Sequence, residues 1–511
     1  MADDQEPERQ GHGDRLASLD AAFLEMETPE RLMHVGGLFI FDPSEDERAF
    51  EFSDFLNLVR SRLHLIPRYR QKVVDPPLAL GNPVWVDDIE FDLSYHVRHA
   101  ALPAPGTIDQ LTEYSTRILS RQLDRDRPLW ELYVIEGLEH GRIALLGKNH
   151  HAMVDGVSGI DIAAVLLDLA PDQSDTLPDP EPWTPQRTPS RSQLAVSAVK
   201  DIVTSPAEAI ESVGRMAKTP RSALRRAVAV GQGVSRVARA NLARPAPKSM
   251  LNQPPGQHRR FAIQRIPLGD VKVIKDAFET TVNDVVLAVI ADTTGRYLRF
   301  RGARTDGVWL RAMVPVSTRA ESQQHHLGNR VVAVFVDLPM FELDPIERLR
   351  LCHDAMSDVK SSHAAVGAGF LLGLGEFAPP TIHAMAARVA VNTRVFNFLV
   401  TNVPGPQLPI YCMGARLLGM FPFTPLAANH SYGVGVTSID GWMNFGFVAD
   451  YDALPDINEV PQMLIDSVAE LSACAEAVGI ARKRTPKKRA EAARQASEAS
   501  GASGTSGASD G

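Results

Sequence analysis

A proline-rich break about a third of the way along the chain constrains its architecture more than any other feature. From Pro171 to Pro189 the residues are mostly Pro, Asp, Thr and Ser. Proline removes a backbone donor and fixes φ, so such a stretch supports neither a helix interior nor a paired strand. On either side the chain alternates helix and strand signals, over 14–185 and over 261–480, which predicts an α/β protein built in two halves. The length of 511 residues agrees, being too great for one ordinary core.

In the first half, Asp20 to Glu27 reads as helical and Val35 to Phe41 as an extended apolar run stopped by Asp42 and Pro43. Phe52, Phe55, Leu56, Val59 and Leu63 recur at helical spacing within Phe50 to Arg62. Trp130 to Ile135 and Arg142 to Lys148 are β-favouring runs separated by Gly137 to Gly141, and a hairpin is predicted there. Its second strand delivers the chain to His150 and His151. In the second half, Thr281 to Thr293 reads as a helix, Val331 to Leu338 as a buried strand, and Asn444 to Asp450 as a strand with Gly446 inside it.

The connecting segment, 186–260, is helical in pattern and basic: between Ala195 and Met250 ten Lys or Arg stand against three Asp or Glu. Leu224, Ala227, Val228, Ala238 and Leu242 project to one side of a helix and Arg221, Arg225, Arg236 and Arg239 fall off it. Two readings stay open, a crossover that packs small residues on another domain and a helix lying on a membrane surface. The ends, 1–13 and 481–511, lack the apolar content to bury surface and are expected to be disordered.

Composition excludes several classes. Net charge is -9, which speaks against a general nucleic-acid binder. The cysteines Cys352, Cys412 and Cys474 form no close pair, so neither a disulfide framework nor a zinc site is expected. The acidic start shows no secretory signal. The longest apolar run, Ala364 to Gly375, ends at Glu376, Pro379 and Pro380 before it could cross a bilayer, so any membrane contact is expected to be peripheral.

Chemistry concentrates in His150-His151-Ala152-Met153-Val154-Asp155-Gly156. Adjacent residues at a strand end face opposite ways, so only one of the two histidines can look into a given cleft. An imidazole titrating near neutrality can take a proton from an attacking hydroxyl. Asp155 followed by Gly156 suits a tight turn, and Gly156 leaves room for backbone to approach a ligand. A metal site on His151 and Asp155 lacks a nearby third ligand, and none is expected.

The His-His-x-x-x-Asp-Gly pattern resembles the signature of the acyltransferase superfamily of chloramphenicol acetyltransferases, carnitine acyltransferases and peptide-synthetase condensation domains. More closely, the chain resembles the bacterial wax ester synthase/diacylglycerol acyltransferase family. The resemblance spans roughly 15–480 and includes Leu19 to Leu24, Met33 to Gly36, Arg127 to Trp130, Thr281 to Val285, Val314 to Ser317, Gly328 to Arg330 and Thr401 to Pro406. It implies two chloramphenicol-acetyltransferase-like domains with mixed sheets, an active-site tunnel between them and a helical crossover linker. It implies His151 as general base, with His150 and Asp155 as supports. Asn283 and Asp284, Pro128, Leu129 and Trp130, and Asn402, Pro404 and Gly405 carry over as tunnel-lining or structural residues.

The activity implied is transfer of a fatty acyl group from acyl-coenzyme A, a substrate rather than a cofactor, to diacylglycerol or a long-chain alcohol. Two other readings are a transferase or condensation enzyme using an acyl carrier protein as donor, and an inactive paralogue that coats lipid surfaces. The expected location is cytoplasmic, or peripheral on the plasma membrane or a lipid droplet. Acyl chain length, preferred acceptor, oligomeric state and the oxyanion donor are left unassigned by the sequence.

Overall fold

The structure, a computed structural model, describes residues 14–43, 50–77, 82–153, 165–171, 183–190, 192–194, 196, 245–317, 331–341, 343–361 and 395–478. Asp155, Gly156, the crossover arginines, Gly328 to Arg330, the Ala364 to Gly375 run and both chain ends lie outside the described residues.

Helix α1 (Ser18–Met26) leads into strand β1 (His34–Asp42), and α2 (Phe52–Arg62) follows. The helix begins two residues later than the periodicity suggests, because Glu51 is still extended. A small hairpin, β2 (Gln71–Val74) and β3 (Val84–Asp87), precedes β4 (Val97–Ala101). Helix α3 (Ile108–Leu119) starts at a capping box, in which Thr107 and Gln110 satisfy each other's backbone N–H. It crosses over to β5 (Trp130–Glu136), which lies parallel to β4. Strand β6 (Ile143–His150) then pairs antiparallel with β5, with Trp130 opposite Asn149. Gly137, His140 and Gly141 take the positive φ needed to turn that hairpin.

The second half contributes β7 (Arg259–Pro267), α4 (Leu268–Phe278), α5 (Val282–Phe300), β8 (Trp309–Ser317), β9 (Val331–Pro339) and α6 (Pro345–Ser361). After it come β10 (Phe398–Pro404), β11 (Tyr411–Cys412), β12 (Ala415–Phe423), β13 (Tyr432–Ile439) and β14 (Trp442–Asp450), and a helix over residues 460–478. Helix α5 outruns its predicted end because Tyr297 and Leu298 remain buried past Thr293. Every residue from Val285 to Ala291 is buried, the mark of a helix enclosed on all sides. Each Val, Leu or Ile side chain in this stretch contributes about 1.5–3 kcal/mol through burial.

Two six-stranded mixed sheets result, in the orders β11-β12-β1-β6-β5-β4 and β7-β14-β13-β10-β8-β9. The division of strands between sheets does not follow the division of the sequence. Strand β12 belongs to the second half, yet it pairs antiparallel with β1, from Gly36 opposite Phe423 to Asp42 opposite Arg416. The same strand crosses close over β13 and β14. A Cβ on Gly446 would lie 2.1 Å from the Pro422 carbonyl oxygen, and one on Gly435 would lie 2.7 Å from the Pro422 Cβ. Gly435 and Gly446 are directly paired, so together they open the slot through which β12 passes from one sheet to the other.

Sheet one buries both faces. Leu38, Ile40, Ala144 and Leu146 pack with Leu111, Ile118 and Leu119 of α3, and with Phe261, Ile263 and Val448 from the second half. Phe39, Phe41, Leu132 and Leu145 face the other way, toward α1 and α2.

Candidate active site

Strand β6 ends at His150, and His151 opens a single 3-10 turn, His151–Met153. Neighbouring chain holds this end on both sides. The His150 N–H donates to the Leu129 carbonyl (2.9 Å) and the His151 N–H to the Met33 carbonyl (2.8 Å). Pro128 to Trp130 thus act as a brace. Leu129 and Trp130 are buried, and the Trp130 indole donates to the Tyr69 carbonyl (2.8 Å) and stacks on His96 at 4.6 Å.

Strand alternation separates the two histidines. His150 shares the face of Lys148 and is completely buried. Its Nδ1 accepts the Ala152 N–H (3.1 Å), which leaves Nε2 to carry the proton in the neutral ring. Nε2 lies 3.7 Å from Glu27 Oε1, and the other oxygen of Glu27 pairs with Arg125 at 2.9 Å. Burial, with the nearby Arg125 and His151, lowers the His150 pKa to about 3, so the ring is neutral at physiological pH.

Lys148, also fully buried, donates to the carbonyls of Ile118 (3.2 Å) and Arg121 at the C-terminal end of α3. His34 Nε2 contacts the Leu119 carbonyl beside them at 2.7 Å. A cation among the last carbonyls of a helix is favourably placed. Burial nevertheless lowers Lys148 to about 8 against the opposing pull of Glu131 and Glu27. Glu27, His34 and Lys148 were not singled out from the sequence as site residues. The signal available was alternation, since Lys148 and His150 must share one face of β6.

His151 differs from its neighbour. It keeps part of its surface accessible and stacks on Phe23 of α1 with ring centroids 4.2 Å apart. Burial holds its imidazole below the usual histidine value, so the ring is a neutral proton acceptor near pH 7.

A cavity of about 210 Å³ lies between the sheets. Phe39, Phe41, Leu132, Leu145, Leu166 and Met420 give it apolar walls, and Asn149, two residues before His151, forms part of the lining. His151 is not itself a lining residue, and Gly147 also borders the space. Val403 of β10 reaches the cavity from the second half. It lies inside the Thr401 to Pro406 segment, which the family resemblance marks as packing or tunnel-shaping.

The remaining candidates divide. Asn283 Oδ1 accepts from Asn402 Nδ2 at 3.4 Å, joining the start of α5 to β10. Asp284 is buried; its Oδ2 accepts the Thr281 N–H (2.9 Å) in a capping box and pairs with His353 Nδ1 at 2.8 Å. Asp284 is therefore occupied in holding the helix start. Pro404 closes β10, and the Gly405 N–H donates to the Ser438 carbonyl (2.8 Å). Asp155 and Gly156 fall outside the described residues, so their contacts with this arrangement are not described. Among the described residues no group of His, Cys, Asp and Glu is placed to hold a metal ion.

Comparison with known proteins agrees with the geometry. Residues 16–286 match the wax ester synthase/diacylglycerol acyltransferase catalytic domain and residues 327–472 the WS/DGAT C-terminal domain. A Mycobacterium tuberculosis (strain H37Rv) protein named "Probable diacyglycerol O-acyltransferase tgs1" is 34% identical over 475 residues, covering 92% of this chain and 98% of its own. The solved wax ester synthase/diacylglycerol acyltransferase from Marinobacter aquaeolei VT8 superposes with a TM-score of 0.65 at 29% identity, covering 90% of this chain and 100% of that one. The first condensation domain of the calcium-dependent antibiotic synthetase shares the fold, with a TM-score of 0.54 at 14% identity over 91% of this chain and 97% of that one.

Proposed function

Because the chain belongs to the wax ester synthase/diacylglycerol acyltransferase family, we propose that it esterifies diacylglycerol, and long-chain alcohols as a second acceptor class, with the acyl group of a coenzyme A thioester. The observation that carries this reading is a neutral, partly accessible His151 two residues beyond Asn149, which lines an apolar cavity that both halves share. An apolar cleft with few polar groups suits an alkyl chain.

In the proposed reaction His151 accepts the proton of the acceptor hydroxyl as its oxygen attacks the thioester carbonyl. A C–O bond forms, the C–S bond breaks, and the proton passes from the imidazole to the departing thiolate, so ester and free thiol leave. No acyl-enzyme is needed. Stacking on Phe23 orients the imidazole, and His150 Nδ1 with the Leu129 and Met33 carbonyls holds the backbone that carries it. Asp155 is assigned to hold the turn after His151 through a charge pair, and Gly156 to leave room for the ligand.

The proposed setting is a membrane or lipid-droplet surface, where diacylglycerol resides. No helix of the described residues is long and apolar enough to cross a bilayer. The basic crossover supplies charge for peripheral binding, since each Lys or Arg near an anionic leaflet adds about 1 kcal/mol. Flotation with anionic liposomes at low and high salt tests this, with Arg221, Arg225, Arg236 and Arg239 changed to Gln. Binding that survives both changes removes the crossover from the account.

The test of the activity is to offer the purified protein labelled palmitoyl-coenzyme A with diacylglycerol, hexadecanol and glycerol in parallel, and to separate the products. Triacylglycerol and wax ester are expected. No labelled ester from any acceptor would overturn the reading.

A further inference from the structure

Three glycines border the cavity between the sheets, Gly36, Gly37 and Gly147, and the protein accounts for only two. A Cβ on Gly36 would meet Leu119 Cδ2 at 2.9 Å and the Gly147 carbonyl oxygen at 3.0 Å, and one on Gly37 would meet the Phe39 ring at 2.9 Å. A Cβ on Gly147 would have only the Gly37 carbonyl oxygen, at an ordinary 3.9 Å, among the described residues. Gly147 is not among the glycines with positive φ, so the backbone does not require it either. Glycine inside a strand weakens it, and it marks places where something else approaches the backbone.

Alternation puts the missing side chain in the cavity. On β6, Leu145, Gly147 and Asn149 all line the space, while Leu146 packs toward α3 and Lys148 bonds to the end of that helix. Gly147 stands midway between the apolar Leu145 and the polar Asn149 of the cavity wall.

We infer that Gly147 sets the bore of the channel that receives an unbranched alkyl chain, and so determines the chain length the enzyme accepts. This rests on the acyl-transfer reading above. A side chain at 147 would occupy the space within four residues of the general base. Chains that extend past that point would be excluded and short chains retained. The alkyl chain could come from the acyl donor or from the acceptor alcohol, since both are hydrocarbon.

The experiment uses the full chain with Gly147→Ala and Gly147→Val. One series pairs butyryl- to stearoyl-coenzyme A with a fixed short alcohol. The other pairs butanol to octadecanol with butyryl-coenzyme A. In Gly147→Val the kcat/KM ratio of long to short chains is expected to fall at least about tenfold in one series, within the range that one misfitting methylene produces. Gly147→Ala should move the same way by less. Retained turnover of the shortest substrates shows that the variant is folded. A shift confined to the first series places the acyl tail in the cavity, and one confined to the second places the acceptor tail there. If the native protein transfers acyl groups and the folded Ala variant keeps the native profile in both series, the inference is wrong. If the native protein transfers none, the acyl-transfer reading itself has failed.

Discussion

At the residue scale, two adjacent histidines with the same side chain have opposite assignments because one strand turns them to different surroundings. His150 is enclosed and bonded at Nδ1; His151 is stacked on Phe23 and partly accessible. His151→Ala is expected to lower kcat by about 10²–10⁴ while the protein still unfolds cooperatively, with only the stacking on Phe23 lost from its packing. Acyl transfer from palmitoyl-coenzyme A beside a thermal scan measures both, and a fully active variant would eliminate His151 as the base. The pH dependence follows from the direction of its shift. Burial lowers the His151 pKa from 6.5, so more than half of the base is already unprotonated at pH 6.5, and function is lost as the pH falls further. The rising limb of kcat/KM is expected to have its midpoint below pH 6.5.

At the element scale, the start of α5 shows how a motif can look chemical and be mechanical. Thr281 and Asp284 form a reciprocal cap, and His353 closes on the same carboxylate. Thr281→Ala is expected to cost about 1 kcal/mol. Asp284→Ala should cost more, on the order of 1–3 kcal/mol, because the Thr281 N–H and the His353 ring both lose their carboxylate partner. Urea midpoints measure both. Activity per folded molecule should survive Thr281→Ala, and a total loss without destabilisation would return Asp284 to the reacting groups. The capping pattern Thr-x-x-Asp was present in the sequence. What it could not show was His353, which arrives from another helix.

At the scale of the whole molecule, the two halves are stitched together. Strand β12 lies between β11 and β1 in the first sheet, and the Arg259 N–H of β7 donates to Ser120 Oγ at the end of α3 (3.0 Å). A fragment of residues 14–190 would leave β1 as an open edge in a sheet with two apolar faces, a template for aggregation. Expressed alone it is expected to be insoluble or misassembled, and co-expression with 245–480 should recover a soluble complex. A monomeric 14–190 fragment with a cooperative melt would overturn this. Acid sensitivity is also distributed through the first half. His150 is lowered to about 3 and His96 to about 4, each chiefly by burial. A depressed histidine contributes stability that is fully present above its unfolded value of 6.5 and is lost as the pH falls toward its folded value. The loss is on the order of 1.4 kcal/mol per pH unit for each ring. The melting temperature should therefore drop between pH 7 and pH 5. His150→Asn, which keeps an acceptor near the Nδ1 position, should drop less steeply. An unchanged slope would exclude His150 as a source of the acid sensitivity.

Local order alone determined a good deal. The helix-and-strand succession, the hairpin that ends at His150, the cap before Val282 and the strand around Gly446 are all written in periodicities of two and 3.6 and in turn residues, which depend only on near neighbours. The same alternation dictates that His150 and His151 cannot face one cleft. Tertiary structure decided the rest, because it joins residues with no local relation. Gly36 lies opposite Phe423 only because Gly435 and Gly446 leave a slot for Pro422. Periodicity shows that β12 is a strand but not which sheet receives it, since an alternating strand can pair with any edge whose burial it matches. The charged groups packed behind His150 were likewise not named by local order alone. Glu27, Arg125 and Lys148 carry charges that ordinarily favour water, and it is the fold that draws the Glu27 carboxylate and the Lys148 ammonium out of it.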